Sequence, residues 1–156
     1  MKDFLIEMFE INSDANVRMA SKISSLPSQD ESLKHLSHLV NCQYKWLDRI
    51  NVFPADSKLD WWLPIYSADE LHQQFVESSQ NWIDYLSAKT EDELDEVKKY
   101  ISWDGNVWES KLKDIALQLI FHSFHHRAQL QMLIRAQDQK PGFIDYIGYK
   151  AKKSET

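Results

Sequence analysis

Residues 120–130 read IFHSFHHRAQL and hold half of the chain's six histidines. Ile120, Phe121, Phe124 and Leu130 surround the imidazoles, so the stretch is an apolar run interrupted by three titratable rings. Its apolar spacing predicts a helix over residues 109–137, ended by Pro141-Gly142. Residues four apart on a helix are separated by roughly 40° around the axis, so His122 and His126 project from one face on successive turns. Ile115, Leu119 and Leu133 fall on the same arc, which turns the pair toward the core. His125 lies roughly 60° to the other side of His122, at the margin of that face. Arg127 points well off the arc, which assigns it a salt bridge or a surface role.

Outward from this helix, Gly occurs only three times and Pro four times, so each breaker marks a boundary. Residues 3–26 carry Leu5, Met8, Asn12, Ala15, Met19, Ile23 and Leu26 at helical spacing, and Pro27 stops the run. Ser28-Gln29-Asp30-Glu31 has capping-box spacing and opens a second helix to residue 51. Residues 52–66, VFPADSKLDWWLPIY, contain two prolines and read as a long connection. Ser67-Ala68-Asp69-Glu70 is another capping box, opening a third helix to residue 89 with Leu71, Phe75, Ser78, Trp82 and Leu86 as its buried stripe. Thr90 to Glu93 reads as a short capped turn. In VKKYISWDGNVWES, Asp104-Gly105 between aromatic and β-branched residues predicts a hairpin. The expectation is an all-α four-helix bundle with a small β-hairpin before the last long helix. It forms one domain over residues 1–150, with a polar tail at 151–156.

Composition narrows the function classes. At 156 residues, 43% hydrophobic and with six Trp, the chain can bury a real core. A net charge of −6 with no basic tract longer than Lys152-Lys153 argues against nucleic acid as a partner. Asp3, Glu7 and Glu10 interrupt the first apolar residues, so neither a secretory signal nor a membrane span is expected there. The single cysteine, Cys42, excludes an intrachain disulfide and suits a reducing, cytoplasmic setting.

Two imidazoles one turn apart can converge on one ion, but they can equally be hydrogen-bonded core residues. Either way, each ring nitrogen in an apolar stripe needs a partner. A metal satisfies one nitrogen of each and leaves the other N–H for an outer acceptor, for which Gln118 and Gln129 lie close to the same arc. A third ligand must come from another helix, and KHLSHLVNCQYKWLDRI offers His35 and His38. Both flank the apolar line through Leu39, Cys42, Trp46 and Ile50, and helical geometry does not choose between them. Cys42, one turn beyond His38, is either a soft fourth ligand or a small core residue. Trp46, Trp61 and Trp62 are either core or a wall over an open coordination position.

FHSFHHRAQL resembles the NHxxHHRxQ signature of the DinB/YfiT-like superfamily of four-helix-bundle metal-binding proteins. HLVNCQYKWLDRI resembles that family's second helix, and FEINSDANVRM, with Ala15-Asn16, its first; the hairpin and FIDYIGY also fit. The chain departs from the pattern at Phe121, where Asn is frequent, and at Ala128, where Gly is common. The resemblance implies that His38, His122 and His126 bind a divalent metal ion, with His35 and His125 structural or supporting. The expected cofactor is Zn, Ni or Fe, since all-nitrogen ligation suits several such ions.

Three histidines leave the ion an open position, unlike structural zinc sites closed by four protein ligands. The expected function is a metal-dependent enzyme acting on a small molecule. The resemblance implies thiol S-transferase or hydrolase chemistry, with a low-molecular-weight thiol as a candidate partner. A metalloprotease HExxH is absent, because Ser123 stands where Glu would act. The alternatives are a non-catalytic metal-binding stress or scaffold protein, working as a homodimer, and a plain helical interaction module.

Overall fold

The computed structural model describes residues 1–152, so residues 153–156 of the predicted polar tail lie outside the described part. Four long helices form: α1 (Lys2–Ile23), α2 (Asp30–Val52), α3 (Ala68–Ser87) and α4 (Leu112–Arg135). A 3-10 turn at Asp92–Asp95 and the hairpin β1 (Val97–Ile101) and β2 (Val107–Lys111) precede α4, and a short α5 (Tyr146–Lys150) follows it. Around the bundle, α1 packs against α3 and α4, and α2 packs against the same two, leaving α1 and α2 on a diagonal. This arrangement sets the histidine-bearing faces of α2 and α4 side by side.

The predicted stripes are buried. Leu5, Ala15, Met19 and Ile23 of α1 face inward, as do Leu71, Phe75, Trp82 and Leu86 of α3. Trp82 joins three helices: its indole stacks on Phe9 at 5.5 Å, and its Nε1–H donates to the Gln43 carbonyl at 2.9 Å. The capping box of α3 forms, with the Glu70 carboxylate accepting from the Ser67 amide at 2.8 Å. The one predicted for α2 does not form. Gln29 occupies the N-cap instead, because the Ser28 amide and carbonyl are taken by the Gln137 side chain, each at 2.9 Å. The fourth helix starts at Leu112 rather than 109, because Glu109, Ser110 and Lys111 pair with Lys99, Lys98 and Val97 in the hairpin. Gly105 takes φ 77° in the hairpin turn, a conformation that costs glycine nothing.

The core has two apolar halves. One centres on Leu5, Phe9, Trp82 and Leu112, the other on Ala15, Met19, Phe75 and Leu130. At mid-height the side chains are polar instead: Asn12 and Asn16 of α1, and Ser123 and Arg127 of α4. Arg127 is only 2% exposed, so the surface role expected from its position on the helix is overturned. Its Nη1 donates to Asn16 Oδ1 at 2.7 Å and to Ser123 Oγ at 2.8 Å, and it also reaches Asn12 Oδ1. Burial pushes its pKa down to about 10. Asn16 is therefore an interhelical anchor.

The connection between α2 and α3 is irregular but held along its length by α2. The Tyr66 amide donates to Ser37 Oγ at 2.9 Å, and Asn41 Nδ2 donates to the Pro64 carbonyl at 3.1 Å. His38 Nδ1 bonds the Trp61 carbonyl at 2.7 Å, and Lys45 reaches that of Leu59. The loop thus returns along the helix it has just left.

Candidate metal centre

His38 on α2 and His122 and His126 on α4 bring their imidazoles together between the two helices. His122 Nε2 lies 3.3 Å from His38 Nε2 and 3.0 Å from His126 Nε2. Two nitrogens each bonded at 2.0–2.1 Å to a tetrahedral zinc ion stand about 3.3–3.4 Å apart, which the His38–His122 separation matches and the closer His122–His126 one undershoots by about 0.3 Å. Cys42 also approaches, with Sγ 3.5 Å from His38 Nε2. The ligand atoms of His38, Cys42 and His122 all lie within 4.8 Å of one another, a spacing that can hold a metal ion.

Proton placement is a second test of fit. A carbonyl can only accept, so the contact with Trp61 puts the proton of neutral His38 on Nδ1 and leaves the Nε2 lone pair facing inward. His126 Nδ1 meets His35 Nδ1 at 2.8 Å. When His126 donates this bond, its Nε2 lone pair also points at the cluster. His122 Nε2 stands between these two nitrogens, and a proton on it could satisfy only one of them. The Cys42 S–H, 3.5 Å from His38 Nε2, can take one of these lone pairs, whereas a cation can take all three, so the donor set is compatible with a metal ion.

The rings are kept neutral by their surroundings. Burial is the main cause that lowers the pKa of His38, opposed by its bond to Trp61. Burial, then the neighbouring His38, pushes His122 down to about 4. Burial, then His122, His38 and His35, takes His126 down to about 3. The Cys42 thiol is driven the other way, to about 12, chiefly by burial, and so is a protonated thiol at neutral pH.

Helical spacing leaves His35 and His38 equivalent, the resemblance implies His38 as the ligand, and the two rings make different contacts in the structure. His38 presents a nitrogen to His122, whereas His35 bonds the outer nitrogen of His126 and turns its own Nε2 toward Glu31 Oε1 at 3.7 Å. The His125 ring sits edge-on to His126 with centroids 5.8 Å apart, and its Nε2 contacts Gln129 at 3.3 Å. Gln118 and Gln129 are not the outer acceptors; the Trp61 carbonyl and His35 take that place. Phe121 is exposed, so no side chain substitutes there for the family's frequent Asn. Trp62 stacks on His38 with ring centroids 3.9 Å apart. In front of His38, Cys42 and His122 is a cavity of about 220 Å³, walled by Trp46 and Trp61 and also lined by Gln118 and Leu119.

The fold and this cluster define a helical-bundle protein with a His–His–Cys group at metal-binding distance. The DinB superfamily profile matches residues 33–130, nearly two-thirds of the chain and including every histidine of the cluster, and the chain belongs to that superfamily. No curated protein matches it. No helix among the described residues is long and apolar enough to cross a membrane.

Proposed function

We propose that the protein is a metal-dependent enzyme, with a divalent ion held by His38, His122 and His126 and a small molecule as substrate. The observation that carries this reading is the convergence of three imidazole nitrogens at 3.0 and 3.3 Å, two of them oriented by outward hydrogen bonds. Such an ion supplies Lewis acidity, which lowers the pKa of a thiol or water brought to it. The cavity beside His38 and His122 gives a small substrate a place to lie, and Trp46 and Trp61 shelter it from water. Among the described residues no carboxylate lines that cavity. Hydrolysis profits from a carboxylate base near the attacking water, whereas a thiol needs only to lose its proton. This favours thiol S-transfer over hydrolysis.

The test begins with metal content of protein purified without a polyhistidine tag and supplied with zinc or nickel. About one ion per chain is expected for wild type and His35→Ala, and a small fraction of that for His38→Ala, His122→Ala and His126→Ala. Retention by His38→Ala with loss by His35→Ala overturns the ligand assignment. Loaded protein is then offered low-molecular-weight thiols with an electrophile, and absence of thiol consumption rejects the transferase.

The proximity of Cys42 to His38 favours one other reading, a closed and non-catalytic metal site. Cys42→Ala separates the two. An open site keeps its zinc affinity within about threefold, whereas a thiolate-closed site loses about a hundredfold or more.

A further inference from the structure

Behind the Trp46–Trp61 pair, on the side of the hairpin, lies a second cavity of about 360 Å³ that shares those two indoles with the first. Arg49 from α2 enters it and is 6% exposed. Its guanidinium carbon sits 4.5 Å from the ring centre of Trp46 and 4.6 Å from that of Tyr100. Nη2 donates to the Ile101 carbonyl, and Nε is buried without a partner. Among the described residues no carboxylate forms an ion pair with it. Aromatic faces attract a cation but do not neutralise it, and Asp56, which also lines the cavity, acts on the desolvated guanidinium only through space, without an ion pair. This arrangement fits a site that receives its anion from a ligand.

The rest of the lining narrows the ligand. Lys45 adds a second positive charge and Asp56 one negative charge, so the cavity has a net charge of +1. A monoanion cancels that charge, and a dianion would overfill it. Nη2 is committed to the Ile101 carbonyl and Nε is sealed from the cavity, so a ligand carboxylate meets the guanidinium through its remaining N–H groups. The outer wall consists of Trp103 and Trp108, whose indoles the fold leaves uncovered, Trp103 being 88% exposed. Large flat side chains presented to solvent beside a buried cation suit a ligand with a flat apolar body. The volume is that of a small molecule rather than of a peptide.

We propose that this cavity binds a small aromatic monocarboxylate, with its carboxylate on Arg49 and Lys45 and its ring against Trp103 and Trp108. The site requires no metal ion and goes beyond the reading of the histidine centre.

The test uses 2-naphthoate and its neutral analogue 2-naphthamide, titrated calorimetrically into chelator-treated protein. Working without metal means that failure of the metal reading leaves the result untouched. Naphthoate is expected to bind at least about tenfold more tightly than the amide, and Arg49→Gln to remove that preference. Trp103→Ala, at an exposed position that leaves the fold intact, is expected to weaken both ligands by about threefold or more. Inorganic phosphate is expected not to displace naphthoate. Equal affinity for acid and amide overturns the proposal, as does no binding of naphthoate by wild type or full displacement by phosphate. Should Arg49→Gln fail to fold by circular dichroism, the acid–amide comparison and Trp103→Ala still decide.

Discussion

The Nδ1 atoms of His35 and His126 face one another at 2.8 Å, and one proton must serve both. His35 thereby controls which nitrogen of His126 is free. Removing it as His35→Ala releases the ring to rotate and to change tautomer. Zinc affinity is expected to fall about 10–100-fold while one ion per chain still binds at saturation. Calorimetric titration checks this, and unchanged affinity in His35→Ala would show that the contact does not orient His126.

Trp62 shields His38 from the opposite side, stacked on its ring while half-exposed itself. Copper(II) or nickel(II) bound at His38 lies within quenching range of that indole. Addition of either ion is expected to quench the protein's tryptophan fluorescence, and Trp62→Phe to remove a large share of the quench. An identical quench in Trp62→Phe would mean that Trp62 is not the indole that reports the ion, Trp46 and Trp61 being the others beside the cluster.

Acid should destabilise the metal-free protein through the same cluster. In the unfolded chain His122 and His126 bind protons with the ordinary histidine pKa of 6.5, and in the folded protein only near 4 and 3. Between these limits the unfolded state holds more protons, so stability rises with pH. The contribution is fully present above pH 6.5 and is lost progressively as pH falls to about 3. Denaturant titrations from pH 7 to pH 4 should show a steeper loss for wild type than for the double variant His122→Phe, His126→Leu. Parallel curves would remove these rings as the cause.

Arg127 is expected to matter for stability rather than for metal. Truncation as Arg127→Ala opens a void and leaves the Asn12 oxygen without its donor and that of Asn16 with Ser123 Oγ alone, at a cost of about 2–4 kcal/mol. Arg127→Met refills the volume and should recover part of that loss. Urea unfolding measures both, and wild-type stability in Arg127→Ala would show that the polar layer contributes nothing.

Much of this architecture can be read from residue spacing. The stripes of α1 and α3, the hairpin turn and the inward pair on α4 all follow from periodicity, which reports one buried face per helix. The burial of Arg127 escapes periodicity for that same reason. α4 touches both α1 and α2, so it has a second buried arc, occupied by Ser123 and Arg127, which a single stripe does not represent. The start of α4 was displaced because three residues with adequate helical character were drawn into strand pairing. The contact that turns the His38 ring comes from the Trp61 carbonyl, supplied by a connection without periodicity. The resemblance assigned His38 as a ligand, whereas helical spacing alone left the two equivalent.

The stapled connection over α2 has one further consequence. The backbone of Trp61 orients a nitrogen of His38, and its indole is a wall common to both cavities. An ion at the histidines and a ligand beside Arg49 therefore each act on the same short segment of chain. Whatever factor the first contributes to seating that segment, the segment returns to the first in affinity, because free-energy coupling is reciprocal. Two occupants that never touch would in this way exchange information through a single tryptophan, at equilibrium and in both directions.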